Sequence, residues 1–247
     1  MIRQRWRWLL FGLITYGVFL LASLPAAYVV PQLPGLQLTG VHGSPWSGKA
    51  NQLLVQGVPL GSLRWRFDWQ APFTATLGYR LTLRAEGLEV RGRAAQGIAG
   101  KVFLRDITGY MPVSALDSWL PLPPHSLTGR LGLQLSRVVL VRNRPRVAEG
   151  SLTLTNAQLS WPANALLGNY RLTLHSNTAQ GIQGTLADTG GPLRLQGKLS
   201  VTIDGRYEVS GTLASRNPGD STTGGLLQYL GAPDASGNRH FQLSGQF

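Results

Sequence analysis

The chain has no cysteine, so it has no disulfide framework, no thiolate zinc site and no cysteine nucleophile. That absence leaves the redox compartment open, since an oxidising one is merely not exploited. Acids are scarce too, 11 in 247 residues and nearly all isolated, which leaves little material for paired-carboxylate chemistry. The four histidines lie far apart and no His-Glu-x-x-His occurs, which argues against a metal centre. Neither a Gly-x-Ser-x-Gly elbow nor a phosphate-cradling GxxxxGK[ST] loop is present, and no cofactor is expected. Charged residues make up only 14%, against roughly 25% in an ordinary soluble domain.

Turn formers are abundant instead. Glycine (31) and proline (15) are about 19% of the chain, against about 12% on average. A chain broken this often suits many short strands and disfavours a helical bundle. Net charge is +12, carried almost entirely by arginine. Such an excess fits an anionic lipid surface, an acidic partner or simply a solvated face.

Residues 8–30, WLLFGLITYGVFLLASLPAAYVV, are 23 in a row without a charge. As a helix they span about 34 Å, enough to cross a hydrocarbon core of about 30 Å. Arg3, Arg5 and Arg7 precede the run and no acid comes before Asp68. The positive-inside rule then keeps the amino terminus in the cytoplasm and sends the rest across. A cleaved signal peptide is the rival reading, because Leu24-Pro25-Ala26-Ala27 offers small residues after an apolar run. Its apolar core would be too long, since Leu9 to Leu24 is already 16 residues against a usual 7–15. An uncleaved anchor is expected, with 1–7 as a cytoplasmic arginine-rich tip and 31–247 as a periplasmic β-domain. Nucleic acid is excluded as a partner, because an exported domain does not meet it and no RNP-like strand occurs.

Beyond the anchor, apolar and polar residues alternate. The pattern runs through Leu81-Thr-Leu83, Leu88-Glu-Val90, Leu131-Gly-Leu133-Gln-Leu135, Leu152-Thr-Leu154, Leu172-Thr-Leu174, Leu193-Arg-Leu195, Leu199-Ser-Val201-Thr-Ile203 and Tyr207-Glu-Val209. Period-two alternation means one buried and one polar face, the habit of antiparallel sheets. Asp204-Gly205 suits a type I′ hairpin turn between the last two segments. Short helices are expected at 113–119, with Ser114 as candidate cap, and at 222–230.

Four matched segments recur in the same order: Leu38-Thr39-Gly40 with Leu127-Thr128-Gly129, Leu63-Arg64-Trp65 with Leu159-Ser160-Trp161, Tyr79–Leu83 with Tyr170–Leu174, and Ala95–Gly100 with Ala179–Gly184. Their offsets are 89, 96, 91 and 84 residues. The pattern reads as a duplicated β-unit, about 36–125 and 126–215, with a partial unit at 216–247. Two meandering units in tandem make an elongated, curved antiparallel sheet. Its apolar face has to be covered by its own fold, a partner or lipid.

Chemistry-bearing motifs are few. Asp188-Thr189-Gly190 matches the aspartic-protease tripeptide but lacks a second such carboxylate, and Gly190-Gly191-Pro192 makes it a turn. Glu86 and Glu89 sit beside Arg84, Arg91 and Arg93, which reads as surface pairing. Trp46, inside Gly43-Ser44-Pro45-Trp46-Ser47-Gly48, is either a partner-facing anchor or a cap on the β-core. Arg137, Arg142, Arg144 and Arg146 form the densest basic stretch. The last three are candidate contacts for a partner or anionic headgroups, against the plain reading of a solvated hairpin tip.

The order of these features resembles the protein N family of the bacterial type II, or general, secretion pathway. The resemblance rests on the arginine-flanked anchor, Leu38-Thr39-Gly40-Val41-x-Gly43-x-x-Trp46-Ser47-Gly48 and Leu63-x-Trp65. It continues in Gly150-x-Leu152, Leu159-x-Trp161, Gly190-Gly191-Pro192-Leu193, Tyr207 and Leu230-Gly231-x-x-Asp234-x-x-Gly237, covering essentially the whole chain. It implies a non-enzymatic inner-membrane accessory subunit of the machine that exports folded proteins from the Gram-negative periplasm. The implied partners are other secretion subunits in the inner membrane and periplasm, and the membrane itself. The runner-up is an anchored β-groove protein that binds or carries lipid in the envelope.

Overall fold

A computed structural model describes residues 36–69, 77–97, 100–117, 123–142, 144–161, 164–177, 181–217, 227 and 232–246. The expected anchor at 8–30 lies outside them, as does the expected helix at 222–230 except for Leu227, which is helical and buried. Among the described residues no helix is long and apolar enough to cross a membrane.

Thirteen strands follow one another along the chain. The first six are β1 (Leu36–Gly43), β2 (Ser47–Val55), β3 (Val58–Phe67), β4 (Leu77–Ala85), β5 (Leu88–Gln96) and β6 (Lys101–Pro112). Then come β7 (Leu127–Val141), β8 (Arg144–Leu159), β9 (Ala165–Asn177) and β10 (Gly181–Gly190). The last are β11 (Leu193–Val201), β12 (Arg206–Ser215) and β13 (Arg239–Gln246). Each pairs antiparallel with the next, giving a single meander in strict sequence order with β1 and β13 as its edges. Hairpins are the shortest route between antiparallel neighbours, and the frequent glycines supply their turns.

One such turn corrects the sequence reading. The β11–β12 connection is not a two-residue turn centred on Asp204-Gly205. Gly205 N–H donates to the Thr202 carbonyl (3.0 Å), and only Gly205 is left-handed (φ 83°). A type I′ turn needs positive φ at both central residues. Ile203 therefore leaves the strand and lies 48% exposed in the turn.

Helix is nearly absent from the described residues. Of the expected element at 113–119, residues 118 and 119 lie outside the described residues; the rest holds a single 3-10 turn, Val113–Leu116, with Pro112 rather than Ser114 at its start and no side-chain cap. Its buried Val113 tacks the turn down.

Core packing is correspondingly thin. Ala50 and Trp65 form one cluster, with Leu38, Val41, Leu63, Tyr79 and Leu81 against them. Ala148, Ile182 and Val201 form another, with Val138, Leu174, Leu199 and Tyr207. Ala148 and Ile182 lie two strands apart on one face, so their contact requires the sheet to curl toward that face. Arg144 Nη1 reaches from the start of β8 to the Asp204 carbonyl in the β11–β12 turn (3.1 Å), which needs the same curl.

The matched segments do not keep a constant strand offset. Tyr79–Leu83 is in β4, fourth from β1, while Tyr170–Leu174 is in β9, third from β7. Ala95 and Gln96 end β5, whereas the second copy's Gly181 begins β10.

Candidate functional site

Register makes the two faces of the sheet chemically distinct, because directly paired residues point the same way. One unbroken row crosses all thirteen strands: Val41, Ala50, Leu63, Leu83, Val90, Gly109, Leu133, Leu152, Leu172, Leu186, Gly197, Gly211 and Phe241. It holds no polar side chain. Except for the buried Ala50, its members are only half-buried. Full burial of a leucine contributes about 1.5–3 kcal/mol, so a half-buried row leaves much of that unrealised. The next row on the same face is also apolar, with Trp65 and Leu81 at one side and Leu174, Leu199 and Val209 at the other.

One residue along the strands, the opposite face is polar at this level. Its row runs His42, Lys49, Arg64, Thr82, Arg91, Thr108, Gln134, Ser151, Thr173, Thr185, Lys198, Ser210 and Gln242. Two depressions of about 830 and 740 Å³ lie over this polar side. Hydroxyls, amides, Lys198 and Arg171 line them beside apolar side chains such as Leu186, Phe241, Leu133 and Leu174; His240 lies in the first, and neither lining includes a carboxylate. Among the described residues no cluster of three His, Asp or Glu is placed to hold a metal ion.

Two residues beyond that row, the polar face carries a ladder of arginines. Arg66 pairs with Arg80, Arg80 with Arg93, Arg93 with Arg105 and Arg105 with Arg137, one from each of β3 to β7. All five are exposed. Asp68 approaches Arg80 and Asp106 approaches Arg93, both at a loose 3.7 Å. Sequence reading missed this ladder because its members are 12 to 32 residues apart in the chain. The available signal was an arginine at the polar position of successive strands.

Asp188 is a carboxylate on the apolar side, where it faces Tyr170 across β9 and β10. Its side chain is only 9% exposed, and its carboxylate takes an ion pair and hydrogen bond from Arg216. It also accepts a bond from the Leu195 amide (3.4 Å). The strand runs on through Gly190, and the bend falls at Gly191-Pro192 rather than at the Asp-Thr-Gly itself. This carboxylate is a structural ion-pair partner. Glu89 behaves as expected: Arg91 and Arg84 both donate to it and hold its pKa below the ordinary carboxylate value.

Trp46 lies in the β1–β2 turn, half-buried, stacked on Trp69 (5.4 Å between ring centres) and edge-on to Phe67 (5.1 Å). Its carbonyl accepts the Phe67 amide (2.7 Å), closing the end of the sheet. The outer partner, Trp69, is 67% exposed. Arg142 is exposed at the β7–β8 tip in a left-handed conformation (φ 51°), Arg144 is exposed at the start of β8, and Arg146 is half-buried. Trp46 and these arginines share one end of the sheet, but six strand spacings, about 29 Å along it, separate their turns. The structure does not bring them together.

Near the carboxyl end, Asp234 Oδ1 accepts the amides of Ser236 (2.8 Å) and Asn238 (2.9 Å), which lowers its pKa and fixes the turn into β13.

A family model described as type II secretion system protein N matches residues 34–242. The Vibrio cholerae protein of that name is 28% identical over 234 residues, covering 90% of this chain and 91% of its own. That of Aeromonas hydrophila is 30% identical over 247 residues, covering 95% of each, and that of Klebsiella pneumoniae 27% over 244. No solved structure matches the chain. Because the match runs from just before β1 into β13, the chain belongs to the type II secretion system protein N family.

Proposed function

We propose that this chain is a non-enzymatic accessory subunit of the type II secretion system. Residues 8–30 hold it in the inner membrane, and 31–247 form a periplasmic β-domain that contacts other subunits of the machine. The β-domain comprises the units at about 36–125 and 126–215 and the partial unit at 216–247. The observation that carries this reading is the family match over nearly the whole β-domain. Support also comes from the fold: a sheet one layer thick, with one apolar and one cationic face, offers surfaces for partners. On this reading Trp46, Arg142, Arg144 and Arg146 are contact residues at one end of the sheet. Deleting the chain should trap a normally secreted hydrolase in the periplasm, folded and active. Export untouched under conditions that require the machine would sink the proposal.

The unbroken apolar row favours a second reading, in which the curled face binds acyl chains. Native mass spectrometry of gently extracted protein should then show bound phospholipid or lipopolysaccharide. A clean unliganded mass would count against it.

A further inference from the structure

We infer that the arginine ladder on β3 to β7 is a docking site for an amphipathic α-helix that carries one carboxylate per turn. Five like charges directly opposite one another destabilise a sheet in isolation, and an aligned row of carboxylates would relieve that repulsion. Arg66, Arg105 and Arg137 have no carboxylate within ion-pairing distance among the described residues, and the pairs to Arg80 and Arg93 are long and exposed. The row is therefore free to exchange its weak partners for stronger ones, with the guanidinium fork matched to carboxylate geometry.

Spacing selects the partner. Adjacent strands are about 4.8 Å apart, so five arginines span about 19 Å across the strands. A helix laid along that row repeats every 5.4 Å, a mismatch of about 0.6 Å per step that long arginine side chains absorb. An extended strand presents same-side residues about 6.7 Å apart and falls out of step by about 2 Å at each position. Residues at i, i+4, i+7, i+11 and i+14 of one helix would meet the five guanidiniums in order.

The rest of the face agrees. Beside the ladder, two residues along the strands, Ala95, Phe103, Val139 and Val147 pair in sequence and form a parallel apolar strip, half-buried except for Val139, which the protein itself already buries. A helix with acids on one flank and apolar residues on the next would cover both lines. A headgroup layer, being charged in two dimensions, has no use for the apolar line. Glu149, directly opposite Arg137, ends the positive run and marks where the docked helix stops.

The inference does not depend on where the chain resides, so it and the secretion reading can fail separately. The test uses the purified full chain in detergent and two synthetic 18-residue peptides of identical composition. One carries glutamates at the five positions above with leucines on the adjoining flank; the other scatters the same residues around the helix. The patterned peptide should bind roughly tenfold tighter by fluorescence anisotropy, since several weak exposed pairs add. The combined Arg66→Gln, Arg93→Gln and Arg137→Gln variant should lose that preference. A charge-matched variant, Arg171→Gln, Arg194→Gln and Arg206→Gln, should keep it. Equal binding of the two peptides by the unaltered chain would overturn the inference without requiring any variant to fold. So would a ladder variant that still prefers the patterned peptide. A third result against it is a ladder variant that loses only its binding to phosphatidylglycerol vesicles, which would assign the row to lipid.

Discussion

The phenol of Tyr170 sits directly across the β9–β10 ladder from the carboxylate of Asp188, on the mainly apolar face of the sheet. Burial, then the negative charge of Asp188, pushes the Tyr170 pKa up to about 12. Its hydroxyl donates to the Leu167 carbonyl (2.5 Å), and the residue is 8% exposed. An unfolded tyrosine ionises near 10.

The sign of the linkage follows from a raised folded value. The stabilisation is fully present below about pH 10, falls as pH rises between 10 and 12, and is gone above that. Two pKa units set an upper bound of roughly 3 kcal/mol. Denaturant unfolding between pH 9 and pH 12 should show this loss in the parent. Tyr170→Phe should remove the part that belongs to this residue, and an unchanged pH profile in that variant would refute the assignment.

Arg216 compensates the same carboxylate from the residue just after β12. Arg216 is 43% exposed and Asp188 only 9%, so the pair stands between a surface bridge and a buried one. Arg216→Gln should destabilise by about 1–2 kcal/mol, mostly by leaving a carboxylate uncompensated among apolar neighbours. Adding Asp188→Asn should restore part of the loss. A double-mutant cycle with no coupling would show that the contact carries no energy.

Much of this was legible in the sequence, and the parts that were not share a cause. Period-two alternation located the strands around Leu81, Leu133, Leu152 and Leu172, because a half-buried sheet imprints its faces on every strand. Local chemistry grouped Glu86 and Glu89 with Arg84, Arg91 and Arg93; in the structure Glu89 pairs with Arg84 and Arg91, whereas Arg93 approaches Asp106. The turn at Asp204-Gly205 came out with a different geometry, since the same dipeptide serves a turn closed from Thr202 to Gly205. Among the described residues of the helix expected at 113–119, a four-residue 3-10 turn forms, opened by Pro112 rather than capped by Ser114. The arginine ladder was invisible because register, not sequence proximity, assembles it. Only the pairing of β3 to β7 turns scattered residues 66, 80, 93, 105 and 137 into a line.

Gly48 and Trp65 make another testable contact. They are paired across β2 and β3, and Trp65 Nε1 donates to the Ser44 carbonyl (3.1 Å). A Cβ on Gly48 would lie 2.4 Å from the Trp65 ring and 2.6 Å from the His42 carbonyl. Neither obstacle can yield, since the ring is held by its own hydrogen bond and the other is backbone. Gly48→Ala should therefore cost about 1–3 kcal/mol, the usual range for overpacking. Trp65 fluorescence should shift as its ring is displaced. Full stability with an unshifted spectrum would contradict this packing.

The last prediction concerns topology, on which the proposed place in the envelope rests. Arg3, Arg5 and Arg7 flank one side of an uncharged run at 8–30, and no acid precedes Asp68. Each arginine costs about 2.5–3.5 kcal/mol at mid-bilayer on insertion scales, so the cationic flank resists translocation. The amino terminus should stay in the cytoplasm while the chain from about residue 31 enters the periplasm. Alkaline phosphatase, which becomes active only outside the cytoplasm, should be active when fused after Phe247. Replacing Arg3, Arg5 and Arg7 with glutamate should lower that activity by weakening the orientation, without abolishing insertion. A stably made but inactive fusion on the parent sequence would place the β-domain in the cytoplasm, out of reach of the periplasmic partners proposed for it.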